Sequence, residues 1–135
     1  MEQYVIKDSK NQKIIAYFQD HRFVVEQEYF FTKKGEKIVR SHVQIALTHD
    51  QMILLNKWWF AMTQFDKLPH MMDDENRQRT IFDDGKESVN LRIVNDYVVD
   101  ITQIRNGETS VLKINKRYFY AMIIKALYND FRSDE

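Results

Sequence analysis

The feature that most constrains this chain is a change of hydrophobic period that happens twice. Up to Leu47 the apolar residues alternate, and from Met52 they recur every three or four positions. Side chains alternate across a strand and repeat at about 3.6 on a helix, so one backbone geometry cannot serve both stretches. The first switch falls at Thr48-His49-Asp50-Gln51. This has the form of a capping box, with a hydroxyl residue at the N-cap and Gln three residues on. Met52, Leu55, Trp59 and Met62 then mark one helical face, widened by Ile53 and Phe60. The second switch falls at Ile114-Asn115, where Asn115 caps and Phe119, Met122, Ile123, Ala126 and Leu127 follow. The spacing predicts helices near residues 49–66 and 115–130.

The alternating stretches predict strands. In the first unit these are Lys13 to Phe18, Arg22 to Thr32 and Lys37 to Leu47, with Asp20-His21 and Lys33-Lys34-Gly35-Glu36 as breaks. Phe23, Val25, Gln27, Tyr29 and Phe31 share one face. On the returning strand Val39, Ser41, Val43, Ile45 and Leu47 are expected together. His70 to Asn76, with the acidic run Asp73-Asp74-Glu75, reads as the connection between units. The second unit offers Arg79 to Phe82, the turn Asp83-Asp84-Gly85, Ser88 to Val94, Tyr97 to Arg105 and Glu108 to Ile114. Asn106-Gly107 is the strongest two-residue hairpin signal in the chain. Leu47 and Ile114 stand 67 positions apart at matching strand-to-helix junctions, which reads as internal duplication. The expected fold is therefore α+β: a single domain over 1–135 with two strand-rich repeats, about 13–66 and 79–130, each ending in one helix.

A chain of 135 residues is long enough to bury a core without staples. The absence of cysteine excludes disulfides, thiolate ligands and a cysteine nucleophile. Three Gly and one Pro are too few for a phosphate-cradling glycine loop. Apolar runs such as Met52 to Leu55 fall far short of the ~20 residues that span a bilayer, and the N-terminus lacks the apolar core of a signal peptide. A cytoplasmic protein with no membrane partner is expected. Twenty basic and twenty acidic side chains give formal neutrality. That balance counts against coating duplex DNA by charge alone, while leaving room for a local basic strip.

Enzymatic readings are poor. His21, His42, His49 and His70 lack metal-ligand spacing, and the acidic clusters at 73–75 and 83–84 lack the alternation of a calcium loop. No catalytic residue, metal or cofactor is expected.

Strand, strand, hairpin, strand and helix, occurring twice, resembles the Whirly and Pur-alpha type of nucleic-acid-binding fold. Phe23 to Trp59 is also similar to the single unit of the positive-cofactor-four transcriptional coactivators. Its acidic-aromatic segment Glu26-Gln27-Glu28-Tyr29-Phe30 passes a charged glycine turn and returns through Ile45-Ala46-Leu47-Thr48 into a helix with Trp58-Trp59. The Whirly lysine-glycine-lysine strand motif is absent, and Lys34-Gly35-Glu36-Lys37 is a partial echo of it. The resemblance implies a curved antiparallel sheet backed by helices, binding single-stranded DNA or RNA in replication or transcription.

A single strand is held by cations along its phosphates and by aromatic faces on which bases stack. The first unit offers Lys33, Lys34, Lys37 and Arg40 around its hairpin, with Tyr29, Phe30, Tyr17 and Phe18 nearby. The second offers Arg92, Arg105 and Lys113, alongside Tyr97. Trp58 and Trp59 are about 100° apart on a helix, so Trp58 lies off the core face. With Tyr118 and Tyr120 it is a candidate interface in a homodimer. The alternative is a protein-interaction or assembly module on the same fold that binds no nucleic acid.

Overall fold

The computed structural model describes residues 2–63 and 77–128. The chain runs β1 (Gln3–Asp8), β2 (Gln12–Gln19), β3 (Arg22–Lys33), β4 (Glu36–Thr48), α1 (His49–Thr63), β5 (Gln78–Asp83), β6 (Glu87–Ile93), β7 (Val98–Arg105), β8 (Glu108–Asn115) and α2 (Lys116–Tyr128). Two antiparallel four-stranded sheets result, ordered β1-β2-β3-β4 and β5-β6-β7-β8, each an open meander followed by one helix. The expected α+β class holds. The expected helix residues 64–66, the connection His70 to Asn76 and residues 129–130 lie outside the described residues.

β1 was not expected. Its alternation is short: Tyr4 and Ile6 pack on the core, Val5 faces out, and a bulge between Val5 and Lys7 interrupts the pattern. The hairpin turns were legible. Lys34-Gly35 (φ 52° and 78°) and Asn106-Gly107 (56° and 77°) both hold two left-handed residues, the geometry of a tight two-residue hairpin. Asp20-His21 makes the same kind of turn without glycine, at φ 52° and 61°.

Both helices begin as expected. The Gln51 amide donates to Thr48 Oγ1 (3.2 Å), and the Thr48 amide donates to Gln51 Oε1 (3.0 Å), which completes the capping box. At α2 the Arg117 amide donates to Asn115 Oδ1 at 2.9 Å. Met52, Leu55 and Trp59 of α1 and Phe119, Met122 and Ala126 of α2 are buried in one cluster with the inner faces of both sheets. The Trp59 and Phe119 rings meet at 4.9 Å. Each helix also crosses to the other unit: α1 packs on β5 and β6, and α2 packs on β1.

One register differs from strict alternation. Tyr29 pairs with Ser41 but Phe30 pairs with Val39, so Arg40 is an extra residue in a bulge. Val39, expected beside Ser41, therefore joins the face of Phe30, and Ile38 joins that of Phe31.

The sheets are joined through two buried glutamines. β4 and β8 are the last strands of their sheets and lie against each other. Gln103 on β7 receives the Ala46 amide on Oε1 (2.9 Å) and donates Nε2 to the Ala46 carbonyl (2.7 Å). Gln27 on β3 donates Nε2 to the Lys113 carbonyl at 2.8 Å. Gln27 sits opposite Val43 and Gln103 opposite Ser110. Each glutamine thus reaches the residue three beyond its own partner's counterpart in the other sheet. The two side chains are 3% and 4% exposed, so water is a poor substitute for them. An unpaired buried polar group costs about 1–3 kcal/mol. The Ala46 carbonyl also accepts from Arg22 Nη1 at 3.0 Å, so Gln103→Leu strands the Ala46 amide and Gln27→Leu strands the Lys113 carbonyl. We expect each to destabilise by about 1–3 kcal/mol. Urea unfolding of both variants checks this; a negligible loss in either would contradict it.

Candidate nucleic-acid interface

β2 begins at Gln12, opposite Tyr29. Past that point β3 and β4 continue without a third strand, so residues 30–40 form a two-stranded arm. Every residue from Phe31 to Arg40 is exposed. The expected cations cluster here: Lys33 and Lys34 at the tip, Lys37 on the return, Arg40 in the bulge. Glu36 is the only carboxylate among residues 30–40, so four cations less one anion give the arm a net +3 in a chain of formal charge 0. Lys33, Lys34 and Arg40 have no ion-pair partner among the described residues.

Lys37 is more engaged. It pairs with Glu28, and its ammonium stands 4.6 Å from the centre of the Phe30 ring. Phe30 is consequently half-buried. Phe31, expected on the face of Phe23 and Val25, is 40% exposed beside Ile38, because the core ends where β2 ends. It is an exposed aromatic surface that alternation alone concealed. Tyr29 points to the side away from Phe30, and its hydroxyl accepts from Gln12 Nε2 at 3.0 Å. Tyr17 and Phe18 are buried, whereas Tyr97 is 70% exposed. Burial first, then a hydrogen bond to the Glu26 carboxylate, push the Tyr17 hydroxyl up to about 12.

The second unit's cations do not form a comparable set. Arg92 and Lys113 lie on β6 and β8 to either side of Asp100 on β7, with Lys113 Nζ 4.0 Å from Asp100 Oδ1. Arg105 is half-buried opposite Glu87. Glu87 already accepts two hydrogen bonds from the Arg22 guanidinium, at 2.8 and 3.0 Å. Those bonds hold the Glu87 carboxyl below its ordinary range against the opposing effect of burial, with Gln51 and Arg105 adding smaller contributions.

The three candidate interface residues occupy different settings. Trp58, expected off the core face, is half-buried and packs against the core cluster, and the Arg79 guanidinium stacks 3.6 Å from the centre of its ring. Tyr118 is half-buried beneath Lys7 at 4.9 Å. Tyr120 is 44% exposed with its ring against Trp59 at 5.7 Å. Among the described residues, no helix is long and apolar enough to cross a membrane. Comparison with protein-family models, curated proteins and solved structures found no match to this chain.

The Arg22–Glu87 bridge sets a pH dependence. A carboxyl held below its unfolded value contributes stability above that value and loses it as pH falls through the folded one. Stability should therefore decline as pH drops below the ordinary 4.5 of this group. Glu87→Ala, which leaves Arg22 uncompensated at 18% side-chain exposure, should cost about 3 kcal/mol at neutral pH and much less in acid. Thermal unfolding from neutral to strongly acidic pH tests this; a cost that does not change with pH would contradict it.

Proposed function

We propose that the protein is a non-enzymatic module that binds single-stranded DNA or RNA, with the β3–β4 arm as its principal contact. The observation that carries this reading is the arm itself. It presents Lys33, Lys34 and Arg40, which have no carboxylate partner among the described residues, next to an exposed Phe31 ring on a two-stranded ribbon. The rest of the chain carries the compensating formal −3, and there Glu26, Glu28 and Asp100 each lie beside a cation or a histidine of the body or of the arm's root.

The same reading treats the two units as diverged copies of one another, packed as curved sheets in the manner the sequence resemblance implies. The reciprocal glutamine bonds support it. Gln27 and Gln103 occupy matching places in their hairpins and bond to matching places, Lys113 and Ala46, in the opposite sheet.

A second reading has its own observation. Ile38 and Val39 are 38% and 49% exposed on opposite faces of the arm, and aliphatic side chains offer little to a base but much to a protein surface. On that reading the arm docks a protein partner and binds no nucleic acid.

Titration of labelled single-stranded oligonucleotides at two salt concentrations separates the two. Nucleic-acid binding should weaken with salt at a slope near −0.7 per phosphate neutralised. Lys33→Glu with Lys34→Glu should weaken it at least tenfold while leaving the melting temperature unchanged, because turn lysines carry little packing. Phe31→Ala should weaken binding by roughly 1 kcal/mol or more without changing the salt slope. Phe30→Ala should cost stability as well, since that ring is half-buried. Absence of binding to both DNA and RNA at low salt would overturn the reading in favour of the protein-docking arm.

A further inference from the structure

The two units meet at two junctions that the strand registers make equivalent. Arg22 opens β3 opposite Thr48, the cap of α1, and Val98 opens β7 opposite Asn115, the cap of α2. Glu87 opens β6 opposite Arg105, and Gln12 opens β2 opposite Tyr29. At the α1 junction the arginine of one unit clasps the glutamate of the other at 2.8 and 3.0 Å. Gln51, in the first turn of α1, also favours the charged form of the same carboxylate. An anion supplied by the chain sits there, surrounded by donors.

At the α2 junction the corresponding residues are Val98 and Gln12, so neither the guanidinium nor the carboxylate is present. A cavity of about 350 Å³ lies there instead, with Lys7, Gln12, Tyr29, Val98, Arg117 and Tyr118 among its walls. Donors surround this space as they surround Glu87. Lys7 holds its ammonium over the Tyr118 ring, and Arg117 has no carboxylate partner among the described residues. The Tyr29 oxygen is already accepting from Gln12, which leaves its own hydrogen to donate. The first turn of α2 contributes the positive end of a helix dipole. No carboxylate side chain lines the cavity.

We propose that this cavity binds a phosphoryl group, which takes the place that Glu87 fills at the other junction. A guanidinium, an ammonium and a phenol match the several oxygens of a phosphate better than the two of a carboxylate. The volume far exceeds the ~10–15 Å³ that one water needs. None of the arm's cations lines the cavity, so the proposal does not depend on the arm. The phosphoryl group has two possible sources, free phosphate or the phosphate of a nucleotide.

The test is an NMR titration of amide resonances at constant ionic strength, with inorganic phosphate, adenosine 5′-monophosphate, adenosine and chloride. Saturable shifts at Arg117 and Tyr118 with both phosphates, and none with chloride or adenosine, are expected. Tighter binding of the monophosphate identifies a nucleotide as the source, and equal binding identifies free phosphate. Arg117→Gln should weaken phosphate about tenfold, the loss of one charge-assisted contact. Gln12→Glu should abolish the response and raise the melting temperature, because it supplies the carboxylate that the α1 junction already has. Phosphate shifts no larger than those of chloride would overturn the proposal. So would a Gln12→Glu variant that folds and binds phosphate unchanged.

Discussion

Two open sheets have edges, and an edge strand carries backbone groups that pair with something or remain exposed to association. In this chain the last strands of the two meanders meet, and each is closed by a glutamine from the other sheet. Gln103 acts on Ala46 as a neighbouring strand would, accepting from its amide and donating to its carbonyl, and Gln27 caps the Lys113 carbonyl. A primary amide suits this role because it carries the same donor and acceptor as a peptide. The two sheets are therefore fixed relative to one another by directional bonds, where hydrophobic burial alone would let them slide. The crossing of each helix onto the opposite sheet follows from that fixed placement.

The placement also distributes charge. Within the body, cations face carboxylates at short range: Arg22 with Glu87, Lys113 with Asp100. The arm extends past the point where β2 ends, beyond the reach of most of the body's carboxylates. A formally neutral chain can then present a local net +3, and at physiological salt, where screening acts over about 8 Å, a phosphate senses the nearby arm more than the sum of charges. The same geometry exposes Phe31, Ile38 and Val39, which inside the four-stranded region would have been covered.

Much of the fold was legible because it rests on local rules. Thr48 with Gln51, Asn115, Lys34-Gly35 and Asn106-Gly107 each specify their own geometry over two to four residues, and each formed as expected. The features that were missed depend on residues far apart in the chain. Period 2 was carried through Arg40, where a bulge reverses the faces of Ile38 and Val39. β1 was too short and too charged to stand out. Trp58 was expected off the core, but it packs half-buried against the core cluster, and its cover, Arg79, comes from β5. The glutamines at 27 and 103 read as unremarkable polar positions, because nothing near them in sequence announces that another sheet's edge lies within hydrogen-bond reach. For the candidate site, the arm's cations were legible from their cluster around a glycine turn. That Lys33, Lys34 and Arg40 lack a carboxylate partner among the described residues while Lys37 pairs with Glu28, and that Arg92, Arg105 and Lys113 stand opposite or beside carboxylates, was not legible, since both are set by strand register.

The central claim is that the arm, and not the body, meets a single strand. Backbone amide shifts on adding a short unstructured oligothymidine locate that contact residue by residue. The account predicts the largest changes between Phe31 and Arg40, with the outer face around Asp100 and the Trp58–Arg79 stack little affected. Saturable changes confined to the helices or to the β6–β8 face, with the arm silent, would contradict it.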